Sequence, residues 1–283
     1  MKRIALLFVS VFVGATLLSA QTTQTAESLL KAKDKSDADI QNEKKNTKSA
    51  TWEKRGDLFL DIAQFNTKGL YVSMPQKGIS GAEILVGKPD NITSDGANED
   101  WIYERVTLHF VDGKLDGWDE TKPLVEDAMD KAYEAYLKAD ELDDKGKFKN
   151  KMGVKVNLAT LRGLFTNKGV KLFGDKKYKE AVNELDKALK LAEYPKTESD
   201  SVFNTGLVTY YAGVMSQNGG DLESAKKYYN ICIEKGYEEA NPYQALASVY
   251  KEEGKSDKEL ETLQAGFTKY PNSKEILIGF INY

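Results

Sequence analysis

The sequence predicts a mainly α-helical chain of paired helices, interrupted once by a small β-sheet. Three observations predict it. A small-x3-large-x2-small signature recurs at Ala132/Tyr136/Ala139, Ala181/Leu185/Ala188, Ala225/Tyr229/Cys232 and Glu259/Leu263/Gly266. Sixteen residues ahead of the last three stand Phe165, Thr209 and Tyr243, each followed four positions later by a small residue: Gly169, Gly213 and Ala247. Between 64 and 122 this helical spacing gives way to clustered glycines and strand-like alternation.

At the start, Lys2 and Arg3 precede an apolar run over 4–13 broken only by Ser10, and Leu18-Ser19-Ala20 offers a small residue before Gln21. That order is a secretory signal peptide, expected to occupy 1–20 and to be removed. The run is too short to cross a bilayer, which takes roughly 20 apolar residues. No cysteine closes it to carry a lipid anchor. Residues 21–50 read as a polar leader with one short helix near 36–45. Asp34, Asp37 and Asp39 offset the lysines there, which argues against a basic docking arm.

Trp52, Gly56 and Phe59 mark a first helix over 51–63, and Ala132, Tyr136 and Ala139 its partner over 123–144. From Trp52 to Ala132 there are 80 residues instead of sixteen. The first pair is therefore expected to be split by an insertion over 64–122. Within it, 101–110 alternates. Ile102, Val106, Leu108 and Phe110 are expected on one face, with Trp101, Tyr103, Arg105, Thr107 and His109 on the other. Asp112-Gly113 is a two-residue hairpin signal, 114–118 the return strand, and 82–86 a third strand. A loop this long is usually functional or disordered.

The later pairs are expected over 163–194, 207–238 and 241–272. The step from Ala225 to Glu259 is 34 residues, and that from Ala181 to Ala225 is 44, with the surplus assigned to a loop at 194–200. The step from Ala132 to Ala181 is 49, with the surplus at 145–157. Small residues alternating with large ones on one helical face let two helices approach closely. A last helix over 274–283 carries Ile276, Leu277, Ile278, Phe280 and Ile281. It reads as a short sealing helix or as the start of a further pair in a longer chain.

Over 51–283 these units resemble the tetratricopeptide (TPR) repeat family, whose period is 34 residues. Glu259 in place of a small residue and Thr209 in place of an aromatic depart from the pattern. The resemblance implies a right-handed solenoid with a concave groove lined by first helices, holding an extended peptide or helix. In that register the groove positions are Thr166, Val170, Phe173, Tyr210, Val214, Gln217, Asn218, Gln244, Ser248 and Lys251. Val170, Phe173 and Val214 are equally consistent with packing between repeats. The family's clamp for a C-terminal carboxylate is not reproduced, because its Asn position holds Asp57, Val170, Val214 or Ser248. The insertion loosely resembles the β-meander of outer-membrane assembly lipoproteins, through Gly87 and Pro89, Trp101 and Tyr103, and Phe110 to Leu115.

Net charge is −4, and near −6 once Lys2 and Arg3 are removed, which disfavours nucleic acid as partner. Cys232 is the only cysteine and is expected to be an inert buried thiol. His109 is the only histidine, so a zinc site or a Ser-His-Asp triad lacks its usual residues. Asp112, Asp116, Asp119 and Glu120 do not follow an EF-hand spacing and read as solvated turn acids. No cofactor, metal, catalytic residue or membrane insertion is expected. The expected function is a protein-interaction scaffold in the bacterial cell envelope, periplasmic or extracellular. The competing reading is an enzyme accessory, or a glycan- or metal-binding protein, using Trp101, Tyr103 and Trp118 of the insertion.

Overall fold

A computed structural model describes residues 24–196 and 203–283. The expected signal segment and part of the expected 194–200 loop lie outside them. The described residues form twelve α-helices, a 3-10 turn and one four-stranded antiparallel sheet. The chain is therefore mainly helical with a small sheet. It divides into two compact units, one within residues 24–161 and the other comprising Arg162–Tyr194 and Phe203–Tyr283.

The first unit opens with α1 (Ala26–Gln41) and α2 (Glu43–Asn46), where the sequence suggested a single short helix. The Thr25 hydroxyl caps α1 by accepting from Ser28 N–H (3.1 Å), and Leu29 is buried. From α3 (Ser49–Ala63), Arg55 donates to the Ser36 hydroxyl (3.0 Å) and the Asp37 carboxylate (2.8 Å). The polar segment is thus held by an ion pair, a signal that apolar periodicity does not carry. Asn42 ends α1 and caps α2.

α3 packs against α5 (Ala128–Glu141) across the insertion. Phe59, Ala132, Tyr136 and Ala139 are fully buried, and a Cβ built at Gly56 would stand 2.6 Å from the Tyr136 ring. Only glycine admits that approach. A 3-10 turn (Phe148–Asn150) then leads to α6 (Met152–Gly174), which gives 152–161 to this unit and 162–174 to the other.

The insertion holds α4 (Ala82–Val86), then β1 (Asn91–Asp95), β2 (Asn98–Ile102), β3 (Val106–Val111) and β4 (Lys114–Glu120), a meander in the order β1-β2-β3-β4. The Asp112-Gly113 turn forms as expected, both residues at positive φ (49° and 71°). Two expectations are corrected. The expected third strand at 82–86 is helix α4, whose Ala-Glu-Ile-Leu-Val run is stopped by Gly87 at φ +76°. The expected single strand over 101–110 is two, parted by a turn at 103–105. That turn shifts the alternation by one, so Trp101 pairs with Leu108 and joins Val106, Leu108, Phe110 and Leu115 on the buried face. Met74 and Ala82 complete this small core.

The second unit continues with α7 (Tyr178–Leu191), α8 (Thr205–Asn218), α9 (Leu222–Lys235), α10 (Asn241–Glu252), α11 (Ser256–Lys269) and α12 (Lys274–Asn282), and holds no strand among its described residues. α7 packs on α8, α8 on α9, α9 on α10 and α10 on α11. A Cβ at Gly169 would meet Leu185 at 2.9 Å, and one at Gly213 the Tyr229 ring at 2.6 Å. The turns inside these pairs share one geometry. Lys177, Asp221 and Lys255 N–H donate to Leu172, Ser216 and Tyr250 carbonyls at 2.8–2.9 Å. Each follows a left-handed residue, Lys176, Gly220 or Gly254. Glu259, the departure from a small residue, is buried with its carboxylate 3.9 Å from Lys251. On α12, Ile276 is buried while Leu277, Ile278 and Ile281 are exposed.

Candidate functional site

The surface of α8 and α10 is where most of the expected groove residues lie, because the two helices touch; Thr166, Val170 and Phe173 are on α6. Gln217 of α8 joins them. Its side-chain oxygen accepts from the Tyr229 hydroxyl (3.0 Å), and its nitrogen donates to the Ser248 hydroxyl (3.3 Å) and Glu252 carboxylate (2.5 Å). Beside it, Val214 packs on the cluster of Ala225, Tyr229, Ala245, Leu246 and Val249. Gln244 and Ser248 are half-buried on α10, and Asn218 and Lys251 are exposed. The Asn218 amide donates to Val214 carbonyl (2.8 Å), closing its own helix end. Lys251 reaches the Asn282 carbonyl of α12. The result is a strip, apolar at Val214 and lined by amides, a hydroxyl, the Glu252 carboxylate and one lysine. Such a strip can meet both the apolar side chains and the backbone groups of a peptide.

Two expected groove residues are placed otherwise. Thr166 is buried, and its hydroxyl donates to the Arg162 carbonyl one turn earlier (2.9 Å), so it offers nothing to a ligand. Tyr210 is not a free anchor. Its ring lies 5.7 Å from Tyr229 and 6.2 Å from Tyr211, and burial raises its phenol pKa. Val170 and Phe173 are half-buried, Phe173 with its ring 5.6 Å from Tyr178. Sequence reasoning missed Glu252 and the Tyr229 hydroxyl. A glutamine one turn beyond Gly213, facing a tyrosine on the next helix, was the available signal. Burial pushes the Cys232 thiol pKa up to about 12, which leaves it a packing group.

The insertion does not present its aromatics as a platform. Trp101 is 1% exposed, its ring 5.0 Å from Phe110 and its N–H donating to Glu99 (2.9 Å). Tyr103 donates to the Gly87 carbonyl (2.9 Å), with burial raising its pKa to about 12. Trp118 is half-buried against the same core. On the opposite face of the sheet, His109 has its two ring nitrogens 2.7 Å from Asp100 and 3.3 Å from Asp119. Glu120 is engaged separately by Asn66 (2.6 Å), and no metal-holding cluster occurs among the described residues.

In the first unit, Asp57, the residue at the clamp position, is likewise occupied. It accepts from the Tyr136 hydroxyl and the Asn157 amide, both at 2.8 Å, and burial raises its pKa. It ties α3 to α5 and to the start of α6. Comparison with protein-family models and with curated proteins returned no match to this chain.

Proposed function

We propose that the chain is an exported TPR-like scaffold of the bacterial cell envelope that binds an extended peptide or helix along the α8–α10 strip. The observation that carries this reading is the repeated helix-pair geometry. One turn bond and one left-handed residue recur at the same register in three successive pairs, and one small-on-large contact recurs in the first two. Units repeated in register place equivalent faces of their first helices next to one another, and that is how repeat proteins build extended binding surfaces. The strip carries half-buried polar groups and an apolar centre, while Cys232 is buried and His109 held between two carboxylates. Recognition therefore explains the surface better than nucleophilic chemistry does.

The test is a peptide-display selection against the mature chain, followed by fluorescence-anisotropy titration of the selected peptide. Gln244→Arg and Ser248→Arg are expected to weaken binding by about tenfold, with unchanged thermal melts. Full affinity in both variants would place the binding surface elsewhere.

A further inference from the structure

The segment between Pro75 and Glu83 is a closed finger. Ala82 and Glu83 N–H donate to the Pro75 and Gln76 carbonyls at 2.8 and 3.2 Å, which fixes its neck. Above the neck Gly81 N–H donates to the Gly78 carbonyl (2.9 Å). Gly78 stands at φ +102°, and a Cβ on Gly81 would lie 2.6 Å from the Lys77 carbonyl carbon, so both glycines are required. At the tip Ile79 is 101% exposed, and α4 adds Ile84 at 69% and Leu85 at 51%. Three aliphatic side chains within seven residues thus stand in water on a backbone pinned against folding over them. Clustered exposed apolar groups of this kind mark contact surfaces.

Charge is segregated along the sequence here, although Glu99 of β2 accepts from Gln76 and lies within electrostatic reach of Lys77. Residues 64–88 carry Lys68, Lys77 and Lys88 against Glu83 alone, whereas 89–127 carry eleven acids against Arg105, Lys114 and Lys122. Lys68 is bonded to Asp61 (2.8 Å), and Lys77 and Lys88 are exposed. Exposed aliphatic side chains flanked in sequence by two exposed lysines match the boundary between acyl chains and anionic headgroups, where lysines reach phosphate while their stems stay apolar. A protein pocket would be met by directional anchors such as Trp, Tyr or Arg, and the tip has none. The bonds at its neck also satisfy backbone groups that an apolar phase would leave unpaired.

We propose that this finger is a peripheral membrane-contact element, with Ile79, Ile84 and Leu85 entering the interface of an anionic bilayer and Lys77 and Lys88 on its phosphates. The contact is interfacial, since no described helix is long and apolar enough to span. It goes beyond the peptide-binding reading and does not depend on it.

The test is co-sedimentation of the mature chain with vesicles of phosphatidylglycerol and phosphatidylcholine, against phosphatidylcholine alone. Wild type is expected to sediment with the anionic vesicles and to be released as salt is raised. Ile79→Asp and the double variant Lys77→Glu/Lys88→Glu are expected to lower partition by about tenfold without moving the melt. Ser248→Arg is expected to sediment like wild type. Wild type that stays in the supernatant with both vesicles, or Ile79→Asp that sediments undiminished, overturns the proposal. So does a photo-crosslinker at position 79 that labels a protein instead of lipid in envelope membranes.

Discussion

Lys176 occupies a position where its two counterparts, Gly220 and Gly254, are glycines. All three stand in the left-handed region, at φ 62°, 76° and 70°. A side chain there costs roughly 1 kcal/mol, partly offset by the greater freedom glycine gives the unfolded chain. Lys176→Gly is therefore expected to stabilise the fold by about 0.5 kcal/mol, raising the melting temperature by about 1–2 °C. Gly220→Ala is expected to lower it. Calorimetry on the pair checks both signs. Asp57 makes a second prediction at this scale. Its pKa is raised chiefly by burial, so its ionised form is disfavoured in the folded state. Its stabilising contribution is complete below the ordinary carboxylate pKa and declines as pH rises through the raised folded value. Asp57→Asn keeps an acceptor for the Tyr136 hydroxyl and does not ionise. The stability of this variant relative to wild type is expected to climb as pH rises from acid through that window. Denaturant titrations at a series of pH values read the slope, and a flat difference would assign the raised pKa no thermodynamic weight.

At the scale of the element, the helix seams were readable because close packing demands a particular residue type. Gly213 faces the Tyr229 ring at a distance no Cβ tolerates, and it is the residue that the spacing singled out. Gly213→Ala is expected to cost about 1–3 kcal/mol by overpacking the α8–α9 seam. Gly153→Ala on α6, where a Cβ meets nothing within 4 Å, is expected to gain about 0.5 kcal/mol from helix propensity. Urea melts separate the two. The insertion was less readable for an identifiable reason. A run of alternating residues looks the same whether it is one strand or a hairpin, and the polar turn at 103–105 carries no glycine to mark it. The period-two pattern then slips by one, and Trp101 moves from the expected surface into the core. Helix α1 was read only in part, as one short helix near 36–45, because a polar helix is held by Arg55 and not by an apolar stripe. The candidate strip was read in part. Its positions followed from register, but the burial of Thr166 and the ring packing of Tyr210 depend on neighbouring side chains that sequence spacing does not specify.

At the scale of the molecule, the chain divides into two compact units, and in the second, α7 to α11 each pack mainly on their sequence neighbours. Stability in such an arrangement is close to a sum of local terms and nearest-neighbour interfaces. A defect at one seam should then loosen its neighbours by an amount that decays with distance along the array. It should not lower every protection factor equally, as in a cooperative globule. Gly213→Ala places the defect at the α8–α9 seam. Amide hydrogen exchange in this variant is expected to accelerate most in α8 and α9. The effect should be smaller in α7 and α10, which pack directly on that pair, and smallest in α12, which packs on α10 and α11. Uniform acceleration from α7 through α12 would show that the unit unfolds as one block. The candidate strip would then be ordered by the unit as a whole and not by the α8–α10 contact. A graded response would instead mean that Gln217, Ser248 and Glu252 hold the strip locally. In that case a bound peptide, by bridging α8 and α10, should slow exchange in those two helices first.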